Sequence, residues 1–291
     1  MRRETLDKKI KIANDIMFYI YSNIDTDINM DELAQDFGVS KFYMHKLFKE
    51  IFDRNIYESI KAIRLQKASN LLLTNKYSTI TEIASSCGYS SQTSFIRVFK
   101  ERFSMTPKEW RNGGYKEYSQ KLLAKSFTMK DPHANFEAIE PSIVKMPAMK
   151  SYYIRHRGYD SKIKQVWQKL QAWIYTNEIK EYEHIALFHD NPAITPVEEC
   201  QYVACVKVND KGKFDDARLP KFTISEGVYA KFDLKGYDGD LLKFIHWIYH
   251  EWLPRSDYET TTKPPYVIYT DNKYLGDGKN FELSFYLSIK F

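Results

Sequence analysis

The sequence predicts a two-domain chain of α plus α/β class. Its N-terminal half is all-α and built from a double helix-turn-helix. Its C-terminal half is an α+β domain of two pseudo-symmetric βαββ units, an antiparallel sheet with two helices. Three observations carry this reading. Residues 32–52 and 82–103 repeat one layout. From about residue 137 the apolar spacing changes from the helical period to short alternating stretches rich in Tyr, Val, Ile and Phe. The second half then repeats itself with a shift of 78 to 81 residues. At 291 residues the chain is also too long for one core of average size.

In "ELAQDFGVSKFYMHKLFKEIF" and "EIASSCGYSSQTSFIRVFKERF" the order is Glu, an apolar residue and Ala, then Gly, an apolar residue and Ser, then a helix ending in Phe-Lys-Glu. Asn29 with Glu32 and Thr79 with Glu82 give each first helix a capping residue followed three positions on by an acid. Gly38 and Gly88 stand where the chain leaves that helix, a position that favours positive φ. Ser40, and Ser90 or Ser91, then cap the second helix. Between the copies, "YESIKAIRLQKASNLLL" (57–73) predicts one long linking helix.

The second helix of each copy has an unusual outward face. In the later copy Phe95, Phe99 and Phe103 recur at helical spacing and predict the buried side, which leaves Gln92, Thr93, Ile96, Arg97 and Lys100 together on the other. In the earlier copy Met44, Leu47 and Phe48 predict the core, with Lys41, Phe42, His45, Lys46 and Lys49 outward. Such faces suit the DNA major groove, which shows each base pair a distinct donor, acceptor and methyl pattern. Arg97 can fork onto guanine, Gln92 can pair with adenine, and Ile96 or Thr93 can pack on a thymine methyl. One such unit could be a surface hairpin of any helical bundle. A matched pair points to double-stranded DNA.

"IASSCGYSSQTSFIRVFKERFSMTPKEWR" (83–111) resembles the signature of the AraC/XylS family of transcription regulators, and the match runs back to about residue 10. Arg64, Leu65, Ala68, Leu71 and Leu72 of the linking helix fall where that family has them. The resemblance implies that both second helices enter successive major-groove segments on one face of a duplex. It places the base-facing positions on Phe42, His45 and Lys46, and on Gln92, Thr93, Ile96 and Arg97. Lys41, Lys49 and Lys100 flank these faces and are expected on phosphates. RNA polymerase is an expected partner. Asp53 and Ser104 depart from the family, which usually has Gly after these helices.

Charge agrees with this division. The whole chain carries +5, but residues 1–130 hold 22 Lys and Arg against 15 Asp and Glu, while residues 131–291 hold 21 against 23. The basic half coincides with the helix-turn-helix pair, as phosphate neutralisation requires. Cys87, Cys200 and Cys205 form neither a disulfide framework nor a metal-ligand spacing, so reduced thiols and a cytoplasmic location are expected, with no metal and no cofactor. No run of eighteen apolar residues occurs and no membrane association is expected.

The domains are expected at 1–111 and 137–291, with 112–136 as a linker that is partly helical around "KEYSQKLLAK". "RGYDSKIKQVWQKLQAWIY" (157–175) and "KGYDGDLLKFIHWIYHEWL" (235–253) align as the two helices, and "HDN" (189–191) and "TDN" (270–272) each follow a strand. A groove between the two units would be lined by aromatics with a few polar groups. Trp167 and Trp247 read as core, whereas Tyr153, Trp173, Tyr229, Trp252 and Tyr269 are the expected effector contacts.

Three segments, 189–208, 224–239 and 252–269, together resemble the gyrase-inhibitor-like (GyrI-like) effector-binding domain. The resemblance implies a small amphipathic, often cationic and aromatic effector held by a Glu after a Pro-Pro-aromatic stretch. Here that place is Val267, so the effector is neutral or uses another acid such as Glu226. Two other uses stay open, a protein-docking module and a hydrolase of reactive small molecules. Absence of the family Glu argues against the enzyme, and no Ser/His/Asp or Cys/His constellation replaces it.

Overall fold

The structure is a computed structural model that describes residues 3–123, 136–209, 218–237, 239–276 and 280–290. The helical half runs α1 (Arg3–Ser22), α2 (Met30–Asp36), α3 (Lys41–Phe52), α4 (Ile56–Thr74), α5 (Ile80–Ser86) and α6 (Gln92–Phe103). Local chemistry fixes these bounds. The Asn29 side chain accepts from the backbone N of Asp31 at 2.9 Å, and Thr79 and Glu82 form a complete capping box. Ser40 caps α3, and Ser91 rather than Ser90 caps α6.

Gly38 and Gly88 have φ of +62° and +75°, as leaving the first helix requires. Gly88 meets a second demand. A Cβ there would stand 2.5 Å from the Ile24 carbonyl oxygen and 2.6 Å from Arg64 Nη2. Arg64 is itself pinned, donating to the carbonyl oxygens of Ile24 at 3.2 Å and Thr26 at 2.6 Å. Asp53 and Ser104 adopt the left-handed conformation at φ 55° and 59°, so both departures from glycine are accommodated at a cost of about 1 kcal/mol each.

α4 serves both copies. Its first half supplies Ile56, Ile60 and Ile63 to a core with Met44 and Phe48, and its second half supplies Leu65, Ala68, Leu71 and Leu72 to a core with Phe95, Phe99 and Trp110. After α6 come a short turn of helix, α7 (Pro107–Glu109), a π-helical turn (Trp110–Gly114) and α8 (Tyr115–Leu123). Tyr115 and Tyr118 pack on the second helical core, so the first part of the expected linker is helix held against its neighbour. Residues 124–135, the rest of that segment, lie outside the described residues.

The C-terminal half contains β1 (Ser142–Met146), β2 (Met149–Arg157), α9 (Ile163–Thr176), β3 (Tyr182–Phe188), β4 (Gln201–Val208), β5 (Lys221–Ile224) and β6 (Gly227–Gly236). It continues with α10 (Asp240–Trp247), a π-helical turn (Ile248–Trp252), α11 (Leu253–Arg255), β7 (Glu259–Thr260), β8 (Tyr266–Asp271) and β9 (Phe281–Lys290). Every strand pair is antiparallel, in the order β1-β6-β9-β8-β3-β4-β2-β5, with β7 on β9. The two βαββ units are β2-α9-β3-β4 and β6-α10-β8-β9, joined through β3 and β8. The strand preceding each unit pairs with the other one: β1 lies on β6 and β5 on β2. That exchange ties the units together at both edges.

Strand alternation gives the sheet two differently used faces. One packs Tyr152, Tyr202, Ala204, Val267, Tyr269 and Phe285 against Trp167 and Trp173 of α9 and Phe244 and Ile245 of α10. The other carries Tyr153, Cys205, Phe222, Tyr229, Tyr266 and Tyr286, with Phe18 of α1 packed against it. The N-terminal helix therefore seals part of the second face.

Candidate nucleic-acid interface

Burial separates the two sides of both second helices as sharply as the sequence pattern predicts. In α3, Met44, Leu47 and Phe48 are fully buried, while Phe42 is 80% exposed. Lys46 and Lys49 are exposed; Lys41 is exposed and holds Asp31 at 2.9 Å. His45 is half-buried and stacked on Tyr57 with ring centroids 5.5 Å apart. Burial, and after it the nearby charge of Lys41, lowers its pKa and favours the uncharged imidazole.

In α6, Phe95 and Phe99 are fully buried, whereas Gln92, Thr93, Arg97 and Lys100 are exposed and Ile96 is half-buried. Two of these side chains already have protein partners. Gln92 Oε1 accepts from Thr81 Oγ1 at 3.0 Å, and Arg97 Nη1 lies 3.1 Å from Glu101 Oε1. Glu101 also holds Lys61 at 3.1 Å. Exposed pairs like these are worth about 0–1 kcal/mol, so a base or phosphate can displace them.

The six expected effector residues do not form one site. Trp173 and Tyr269 belong to the core under the helices, and Trp252 packs on that core against Phe232 at 5.0 Å. Tyr153 and Tyr229 point from the opposite face of the sheet. Glu226 sits exposed in the β5–β6 turn, where its carbonyl oxygen accepts from Lys263 Nζ at 2.7 Å. The reason is parity: neighbouring strand positions alternate faces, and Tyr153 and Tyr269 fall on opposite sides once β2 and β8 take their registers.

On the helix side a line of polar atoms crosses the centre of the sheet. Trp167 Nε1 donates to Tyr202 Oη at 2.9 Å, and Tyr202 and Tyr269 hydroxyls stand 3.5 Å apart. His184, opposite Tyr269 across the β3–β8 pair, has a buried Nε2 without a hydrogen-bond partner. Burial lowers its pKa to about 4, so the ring is neutral at pH 7. Val267 is fully buried beside them.

The two halves are locked together by contacts that sequence reasoning missed. The Asn75 side chain, just past α4, donates to the Thr260 carbonyl oxygen and accepts from the Thr260 N, both at 3.0 Å. The Glu259 carboxylate accepts from the backbone N of Tyr77 at 3.0 Å and Ser78 at 3.2 Å and from Ser78 Oγ at 3.0 Å. Burial opposes its ionisation, but hydrogen bonds from Lys290, Ser78 and Tyr77 outweigh this and hold its pKa below 4.5. The "HDN" turn docks too: His189 stacks on Tyr21 at 3.9 Å, and Asn191 Nδ2 donates to Asn70 Oδ1 at 3.0 Å. Lys67 is buried in the same region, with its pKa lowered to about 8 by burial and partly restored by Asp190. The signal available in advance was the difference between "HDN" and "TDN" at equivalent places. The Asn272 side chain of the second copy accepts from the backbone N of Tyr274 at 3.1 Å, within its own turn.

Among the described residues no helix is long and apolar enough to cross a membrane, and no group of three or more His, Cys, Asp or Glu could hold a metal. All three cysteines are free and buried.

A family model described as a GyrI-like small molecule binding domain matches residues 139–290, and one described as a helix-turn-helix domain matches residues 33–113. The regulatory protein SoxS of Escherichia coli K12 is 34% identical over 102 residues, which cover 35% of this chain and 94% of SoxS. An uncharacterised helix-turn-helix regulator from the cgkA 5′ region of Pseudoalteromonas carrageenovora is 34% identical over 113 residues, covering 38% of this chain and 66% of that protein. The solved structure of a transcriptional regulator with an AraC-type DNA-binding domain from Chromobacterium violaceum is similar over 35% of this chain and 91% of its own, with 26% identity and a TM-score of 0.33.

Proposed function

This chain belongs to the AraC/XylS family of DNA-binding transcription regulators and ends in a GyrI-like small molecule binding domain, and on that basis we propose how each half works. α3 and α6 lie in two adjacent major-groove segments of one duplex, each with its polar and methyl-bearing face on base edges. The supporting observation is the pairing of a fully buried Phe48 or Phe99 with an outward face that holds Phe42 at 80% exposure or an exposed Arg97. α4, which braces both copies, has 19 residues and so spans about 28 Å, a length close to one turn of duplex. Arg97 and Gln92 discriminate bases, with Thr93 and Ile96 on methyl groups. Phe42, His45 and Lys46 contact bases from the first copy, and Lys41, Lys49 and Lys100 hold phosphates.

In the sheet domain the effector contacts are those on the helix side: Trp173, Trp252 and Tyr269, over an apolar floor at Val267. His184 Nε2 supplies a hydrogen-bonding atom there, and burial keeps its ring neutral at pH 7. A neutral, aromatic effector fits this chemistry better than a cation. Tyr153, Tyr229 and Glu226, on or near the other face, are not part of that site. The relatives are transcription regulators, which supports a binding role and not catalysis. The test is anisotropy of a labelled genomic duplex pool with the full chain and excess polyanion competitor at two salt concentrations. Retained, salt-sensitive binding to a subset of duplexes supports the reading, and complete displacement by competitor refutes it.

A further inference from the structure

Gln92 stands on the outward face of α6 already engaged by its own hairpin. Its Oε1 accepts from Thr81 Oγ1 at 3.0 Å, across the turn between α5 and α6. Thr81 is the second residue of α5 and Gln92 the first of α6. The same places in the first copy are Asp31 of α2 and Lys41 of α3, and they too are joined, at 2.9 Å. A brace between these two positions is therefore part of the hairpin plan in both copies. Its chemistry differs: an ion pair in the first, a hydroxyl on an amide oxygen in the second.

The Thr81 end of the brace is firmly set. Thr79 and Glu82 close a capping box around it, and Ile83 and Ala84 beyond it are buried. Just before it, the backbone N of Tyr77 and of Ser78 donate to Glu259 of the sheet domain. Thr81 and Gln92 are themselves exposed, so the brace stands in the surface assigned to the duplex. A side-chain amide has one oxygen that accepts and one nitrogen whose two hydrogens donate. Pairing with adenine uses both atoms side by side, the oxygen on the N6 amino group and the nitrogen on N7. With Oε1 turned to Thr81, Nε2 is the atom left for the groove. Adenine then offers it one acceptor beside a like donor, whereas guanine offers two neighbouring acceptors, N7 and O6. The exposed bond to Thr81 is weak enough for a base to displace. Guanine leaves it intact, but adenine must break or share it.

On the reading that α6 lies in the major groove, we propose that Thr81 is a positioning residue that sets base specificity: by holding Gln92 Oε1 it makes Gln92 a donor toward a G·C pair instead of a two-point reader of A·T. Residue type alone suits Gln92 to adenine, and the fold changes what the side chain presents. Thr81 acts through Gln92 and needs no contact with a base.

Competition titrations of the full chain against a selected duplex, with each base pair placed in turn at the position that Gln92→Ala relaxes, test this. The wild type is expected to favour G·C over A·T there. Thr81→Val keeps the side-chain shape and removes the hydroxyl; it is expected to shift the ratio of affinities toward A·T by about fivefold. Thr81→Ser, which retains the hydroxyl, is expected to keep the wild-type order, and the exposed position should leave the melting temperature of all three proteins alike. Failure of the wild type to favour G·C at that pair, or an unchanged order in Thr81→Val, would overturn the proposal and leave α6 in the groove. A Gln92→Ala protein that discriminates every base pair as the wild type does would overturn the base contact of Gln92, and the role of Thr81 with it.

Discussion

The two helix-turn-helix copies share a backbone plan but are held in different ways. The second is fixed from several sides. Glu259 and Thr260 hold the chain just before α5 by buried hydrogen bonds, and Arg64 and the Ile24 carbonyl oxygen crowd Gly88. The first has a freer turn, since a Cβ at Gly38 would meet nothing within 4 Å. Their outward faces differ in the same sense. α6 offers Gln92 and Arg97, groups suited to reading base edges, whereas α3 offers an exposed Phe42 among lysines. A duplicated backbone plan thus carries two turns with different steric demands and two different outward faces.

The largest expected effect breaks that comparison at its turns. Gly88→Ala should destabilise the helical half by about 3 kcal/mol, through left-handed strain and collision with backbone, while Gly38→Ala should cost about 1 kcal/mol from strain alone. Chemical denaturation of the two variants checks this, and equal losses would remove the asymmetry. Next, Arg97→Ala should cost about 1–3 kcal/mol on a preferred duplex and relax the choice at one base pair. Phe42→Ala should cost about 1 kcal/mol, from lost apolar contact, and should do so for all duplexes alike. Competition titrations with single-base variants of the site separate these two patterns.

A smaller effect concerns the clamp before α5. The folded pKa of Glu259 is lowered, so its contribution to stability is present above about pH 4.5 and is lost as pH falls through the lower folded value. The melting temperature of the wild type should exceed that of Glu259→Gln at pH 7, with the gap closing as pH falls below 4.5 and through the lower folded value. An unchanged gap across that range would mean that the carboxylate charge does not matter. The smallest effect is expected at Glu101, whose pairs with Arg97 and Lys61 must open on binding. Glu101→Gln should tighten duplex binding by less than about 1 kcal/mol, most visibly at low salt.

How much of this was legible in the sequence follows the range of the interactions. Caps and turns are local, so Asn29, Ser40, Thr79, Gly38 and Gly88 could be placed from their neighbours alone. Helix faces were legible too, because Phe95, Phe99 and Phe103 mark one side by period. The short strands β1 and β5 were not, since each is defined by pairing with the other unit. Sheet parity was likewise hidden: nothing near Tyr153 or Tyr269 in sequence states that they end on opposite faces. The docking of Asn75 on Thr260 joins residues 185 positions apart and leaves no local trace.

We propose that one chain reads two adjacent groove segments with unequal helices. Selection of bound duplexes from a random pool, run in parallel on the wild type, Phe42→Ala and Arg97→Ala, tests it most directly. The account predicts a two-part site with centres about 10–11 base pairs apart, in which Arg97→Ala blurs one base pair and Phe42→Ala lowers recovery without changing the consensus. A single compact site, or a consensus that Arg97→Ala leaves intact, would contradict it.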